Sequence, residues 1–332
     1  MLRWLLRIAT LVLFVISARM ALSYWQYDEY AVDIAKLFSQ QVTPQTLSQA
    51  LDKALADNHP DEARMYLKLA ETFALPLDKT AYETKLQELE SPLNTAMRTV
   101  TEFKDGFLDG SAESGVGVIG AITSDFTVVG DVRDLWEQYD LYTQNQPTND
   151  LIIALAGVGV GLTAATVMSA GSASPAKMGV SVFKIATRTG RLTPRFQAYL
   201  TRQASSVFDT KTFLRSAKQD QTLEGITRAV NEAYQPAAVE TLSELATRTN
   251  AIRQVSSLMD TVHLLQYVES ADDLRRLEKL TVKYGTETKG IMKLLGKSAI
   301  GTVRVLRRTT ELVLSLMSTL LSFLGMLLVW RR

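Results

Sequence analysis

Asp125, Asp131 and Asp134 are the carboxylates whose spacing most invites a chemical reading. They lie in Ser124-Asp125-Phe126-Thr127-Val128-Val129-Gly130-Asp131-Val132-Arg133-Asp134, with Asp105, Asp109 and Glu113 upstream. Oxygen ligands gathered this way can hold a hard divalent cation, but the spacing matches no calcium loop. A solvated acidic face is therefore the expected role. A carboxylate at membrane depth must find a partner or take a proton, which would make Asp125 functional if it lies there. Arg133 is the nearest basic residue in sequence. Nothing pairs a nucleophile with a base, so no catalytic residue is assigned and the chain is read as non-enzymatic.

Other chemistries are narrowed by composition. There is no cysteine, which excludes disulfides, thiol catalysis and Cys-based metal sites. The only histidines are His59 and His263, too few for a His-rich metal site. His59 is expected in an exposed turn beside Asp57 and Asp61, and His263 as a packing residue. Gly115–Gly120 fits GxGxxG, but a polar loop stands where a dinucleotide fold needs a buried strand. Gly290–Ser298 has five residues between its glycines, where a phosphate loop needs four. No cofactor and no metal are expected.

The elements that must position these residues are helices, and several are apolar enough for lipid. Leu312 to Trp330 is an uncharged run that spans about 28 Å as a helix, a bilayer's hydrocarbon thickness. Trp4 to Trp25 reads as a retained signal-anchor, because no small-x-small cleavage site follows it and Tyr24, Trp25 and Tyr27 suit an interface. Arg3 and Arg7, ahead of its charge-free centre Ile8 to Ala18, place the N-terminus in the cytoplasm by the positive-inside rule. Leu151 to Ser174 is uncharged and Gly/Ala-rich, and its Gly157 and Gly161 have the GxxxG spacing that packs membrane helices. A buried helix or hairpin of an extramembrane region is its alternative. Flanking charge, with Asp140 and Asp150 before this segment and Lys177, Lys184, Arg188, Arg191 and Arg195 after it, favours three spans. The competing topology keeps two terminal spans, everything between them in the periplasm, and Arg331 and Arg332 as the cytoplasmic stop.

Charge is divided along the chain. Net charge is +1, so nucleic acid is not an expected partner. Residues 26–150 carry 9 basic and 22 acidic residues, whereas residues 151–308 carry 22 and 12. The halves suit different surroundings, or each other. Arg188, Arg191, Arg195 and Arg202 mingle with Phe196 and Tyr199 just after an apolar run, and the first three are read as lipid-headgroup contacts.

Helical periodicity covers most of the remainder. Leu47, Ala50, Leu51, Ala54 and Leu55 share one face, and Ala63, Tyr66, Leu67, Ala70 and Phe73 another. Asn58 is the expected N-cap between them, ahead of Pro60. Glu240 to Tyr267 reads as one long helix. Asp272 to Tyr284 reads as a helix capped by Ser270 and stopped by Gly285, with Leu274, Leu277, Leu280 and Val282 apolar. Little sheet is expected.

The segment from Asp125 to Asp134 resembles the Asp-Phe-x-Pro-Val-Val-Gly-Asp-x-x-Asp stretch in pre-toxin regions of bacterial polymorphic toxins. Thr127 stands at the Pro position, and this chain has one residue fewer between Asp-Phe and Val-Val than that pattern. The likeness runs from Gly106 to Ala170 and implies a membrane-associated helical module, with no catalytic residues to carry over.

The expected protein is mainly α, an integral membrane protein with two or three transmembrane helices and helical extramembrane regions. Its parts are a signal-anchor (1–25), an acidic helical domain (26–110), a Gly-containing acidic segment (111–150), the Gly/Ala-rich segment (151–174), a basic helical region (175–308) and a C-terminal transmembrane helix (309–332). The expected location is a bacterial inner membrane. Expected partners are the lipid bilayer and an unidentified protein, with self-association open. The expected role is scaffolding, and the alternative is membrane permeabilisation by an inserting Gly/Ala-rich hairpin.

Overall fold

The computed structural model describes residues 2–25, 27–90, 128–168, 171, 174–220, 222–306 and 309–331. The chain is mainly helical. It divides into two compact units, Met1–Val32 with Gly301–Arg332, and Asp33–Ile300.

The first unit joins the two ends of the sequence. Helix α1 (Leu2–Tyr24) leads into strand β1 (Tyr27–Ala31), and strand β2 (Thr302–Leu306) leads into helix α16 (Thr309–Arg331). The strands pair antiparallel, with Tyr27 opposite Leu306 and Ala31 opposite Thr302. The helices are antiparallel as well. Phe14 meets Phe323 with ring centroids 5.8 Å apart, and the Ser17 and Ser322 hydroxyls lie 3.2 Å apart. As one residue number rises its partner's falls, so the N-terminal end of α1 and the C-terminal end of α16 share one end of the hairpin.

Each helix has 23 residues, about 34 Å at the α-helical rise. Ser17, Ala21, Leu312, Ser315 and Ser322 are buried in the seam between them. Small residues let two helix backbones approach. The Ser17 and Ser322 hydroxyls also donate to carbonyls of their own helices, Phe14 at 3.1 Å and Ser318 at 2.7 Å, so none is left bare. The outward faces are apolar: Leu22 is 77% exposed and Leu328 67%. Among the described residues, these two helices are the ones long and apolar enough to cross a membrane.

The second unit begins with α2 (Ile34–Gln41), α3 (Pro44–Ala56), α4 (Pro60–Thr72) and α5 (Lys79–Leu89). It resumes with α6 (Val128–Thr143), α7 (Asp150–Met168), α8 (Ser174–Arg188), α9 (Pro194–Val207), α10 (Thr210–Gln219) and α11 (Leu223–Ala233). It closes with α12 (Val239–Val255), α13 (Leu258–Leu264), α14 (Ala271–Tyr284) and α15 (Thr288–Leu295). Polar side chains set many of the starts. The Asp33 carboxylate accepts from the Ala35 N–H at 3.0 Å, and the Ser270 hydroxyl accepts from the Asp273 N–H at 3.1 Å. Gly285, at φ 56°, ends α14, a backbone angle that favours glycine.

Several expectations change. Among the described residues Leu151–Ser174 supplies no third candidate span: the apolar part of α7 is the shorter stretch Asp150–Thr163, with Leu151 through Ala156, Val158 and Leu162 buried, against α6, α8 and α9. A helix apolar on every face suits a bilayer and a protein core equally, and here protein surrounds it. Asn58 does not cap α4. It takes a left-handed φ of 60°, and His59 occupies the cap position, where its side chain accepts no capping hydrogen bond from α4. The helix expected over Glu240–Tyr267 breaks at Ser256, and the Ser257 hydroxyl caps α13 by accepting from the Asp260 N–H at 3.0 Å. Val282 is 64% exposed, while Leu274, Leu277 and Leu280 are buried.

Acidic and basic halves fold together in this unit. Glu287 accepts from the Thr72 hydroxyl at 2.7 Å and pairs with Lys68 at 2.8 Å. Glu62 pairs with Lys293. A bilayer cannot separate residues in contact, so these pairs remove the reading that puts the acidic region on one side and the basic region on the other.

Candidate functional site: a buried charge cluster

Two of the three singled-out carboxylates meet basic residues in the core of the second unit. Asp131 and Asp134, at i and i+3, share one face of α6. Lys177, Lys184 and Arg188, at i, i+7 and i+11, share one face of α8. Lys184 Nζ lies 2.6 Å from Asp131 Oδ1 and 2.8 Å from Asp134 Oδ2. Lys177 Nζ lies 2.8 Å from Asp131 Oδ2 and also donates to the Thr163 hydroxyl at 2.5 Å and the Gly159 carbonyl at 3.3 Å. Arg188 pairs with Asp134, and Arg133 reaches the same carboxylate at 3.4 Å.

Burial is nearly complete. Lys184 and Asp134 are 0% exposed and Asp131 1%. Burial pushes the Asp131 pKa up, against the opposing pull of Lys184 and Lys177. The glycines of α7 make room. A Cβ on Gly159 would overlap the Asp131 carboxylate, one on Gly157 the Phe208 ring, and one on Gly161 the Tyr234 ring. Gly157 and Gly161 thus allow close approach, as their spacing suggested, but to side chains of the second unit and not to a membrane helix.

The remaining candidates are scattered. Asp125 and the Gly115–Gly120 stretch lie outside the described residues. Arg188, partly exposed, pairs with the buried Asp134. Arg195 is exposed and lies 3.7 Å from Glu269. Arg191 is half-buried near His263. The His263 pKa is pushed down to about 4, first by burial and then by Lys289, Lys293 and Arg191. Its Nε2 lies 2.9 Å from Gln266 Nε2, the environment of a packing histidine. Among the described residues, no group of His, Asp and Glu side chains could hold a metal ion.

Lys177 and Lys184 are the site residues that sequence reasoning passed over, having been weighed only as charges flanking an apolar run. Their signal was the shared face with Arg188 on a helix otherwise rich in buried apolar residues. Chemically, the cluster can lock α6 to α8 across α7. Solvent does not reach its central atoms, so a substrate has no path to them. Comparison with protein-family models, curated proteins and solved structures gives no match, so the chain is characterised by its own geometry.

Proposed function

We propose that this protein is a non-enzymatic, membrane-anchored helical scaffold in a bacterial inner membrane. The α1/α16 hairpin crosses the bilayer twice, and the second unit stands on one side of it and engages a protein partner. The observation that carries this reading is the hairpin's inverted surface. Its seam is lined by hydroxyls and small side chains, and its outer face is apolar. Water-soluble units do not leave so large a continuous apolar face bare, whereas lipid requires it.

Charge orients the hairpin. Arg3, Arg7, Arg331 and Arg332 flank one end, with no acid among them. The first helix usually sets the orientation, and Arg3 and Arg7 ahead of its charge-free centre put the N-terminus in the cytoplasm; two spans then place residues 33–300 in the periplasm. The permeabilising alternative asks α7 to insert, but its faces are already covered by α6, α8 and α9, which favours the scaffold.

The chain's lack of cysteine gives a silent background for labelling. Gln87→Cys and Gln219→Cys should both react with an impermeant maleimide added to spheroplasts, and cysteines placed before Arg3 or after Trp330 should not. Opposite accessibility of Gln87→Cys and Gln219→Cys would overturn the two-span topology.

A further inference from the structure

Helix α10 carries Lys211, Arg215 and Lys218 at i, i+4 and i+7, all exposed, over a buried face of Phe213, Leu214 and Ala217. It contains no acidic residue. Helices α8 and α15 also carry basic residues and no acid, but neighbours supply theirs: Asp131 and Asp134 for α8, Asp260 at 3.0 Å from Lys289, and Glu62 for Lys293. Among the described residues, no carboxylate forms a salt bridge with Lys211, Arg215 or Lys218, although Asp209 feels the Arg215 charge at longer range. The carboxylate nearest in sequence, Asp209, is engaged as the cap of α10, accepting from the Lys211 N–H at 3.0 Å and the Thr212 hydroxyl at 2.7 Å. Lys211 and Arg215, one turn apart, repel, and of the three only Lys218 sits in the last turn, where the helix dipole favours a cation.

We propose that the α10 stripe docks on the surface of an anionic lipid bilayer. This rests on the membrane-anchor reading, because the hairpin holds the second unit at a bilayer through two direct junctions, after Val32 and before Gly301. The stripe is about 10 Å long, comparable with the screening length over which a charged surface acts at physiological salt. Its apolar face is occupied by the core, so the contact is electrostatic and non-inserting. An anionic surface matches three exposed cations that no described carboxylate bridges, each strengthening the contact by several-fold.

The test uses full-length Gln219→Cys, labelled with a maleimide fluorophore and reconstituted into vesicles bearing a headgroup spin label. Vesicles of phosphatidylcholine alone are compared with vesicles that also contain phosphatidylglycerol. Quenching should rise with phosphatidylglycerol and fall with added salt. In K211Q/R215Q/K218Q the contact equilibrium should weaken on the order of a hundredfold. Equal quenching in both vesicle types, or a triple variant that behaves like the parent, would overturn the docking proposal while the protein still floats with vesicles. Failure to float with vesicles would instead overturn the anchor on which it rests.

Discussion

Replacing Lys184 by Met removes the one cation that bridges both buried carboxylates. Lys184 is 0% exposed and sits 2.6 Å from Asp131 and 2.8 Å from Asp134. Methionine keeps much of the stem's volume, so the loss is mainly electrostatic. Asp134 retains Arg188 and Asp131 retains Lys177, but each loses its most buried partner. Breaking a buried pair from one side costs about 3–5 kcal/mol, a fall of roughly two to four orders of magnitude in the folding equilibrium. Adding Asp134→Asn should return part of that loss, with a coupling of about 1–3 kcal/mol, because the amide needs no counter-charge. The assay is urea unfolding of the detergent-solubilised protein, followed by Trp136 fluorescence. Trp136 is the sole tryptophan between Asp33 and Ile300 and lies on α6 itself. A loss below about 1 kcal/mol for Lys184→Met, or strict additivity with Asp134→Asn, would refute the idea that the cluster locks α6 to α8.

Three further outcomes are expected. Gly159→Ala drives a methyl group into the Asp131 carboxylate and should destabilise the second unit by about 1–3 kcal/mol, whereas Gly325→Ala, with open space around it, should not; thermal unfolding followed by circular dichroism compares them. Ser17→Cys/Ser322→Cys should form an intramolecular disulfide under mild oxidant, since the two hydroxyls lie 3.2 Å apart, and mass spectrometry of the non-reduced peptides detects it. His263 has a folded pKa of about 4 against an ordinary 6.5, so between these values the unfolded chain binds a proton that the folded one refuses. Its contribution is fully present above pH 6.5 and is lost as pH falls toward 4, about 1–2 kcal/mol once its partial exposure is discounted, and His263→Gln should flatten that slope.

What the sequence made legible was local. The apolar runs at both ends, the Ser270 cap, the Gly285 stop and the apolar faces of α3 and α4 each depend on residues within a few turns, and pattern and capping rules read those distances. What it hid was long-range or degenerate. The β1–β2 ribbon pairs Tyr27 with Leu306, a contact no local window can hold. Helix α7 looked like a span because a protein interior and a bilayer select the same uncharged composition. Lys177 and Lys184 looked like topogenic charges because their partners, Asp131 and Asp134, lie on another helix. The charge division was visible in sequence, but contacts such as Glu62 with Lys293 and Asp131 with Lys184 were needed to show that acids of one half meet bases of the other.

The central claim is that α1 and α16 lie in lipid as one hairpin. Alkaline carbonate extraction of membranes followed by flotation of the full-length chain tests it most directly. The account predicts that the protein stays with the floated lipid after extraction. Recovery of a discrete, detergent-free protein in the soluble fraction would contradict it.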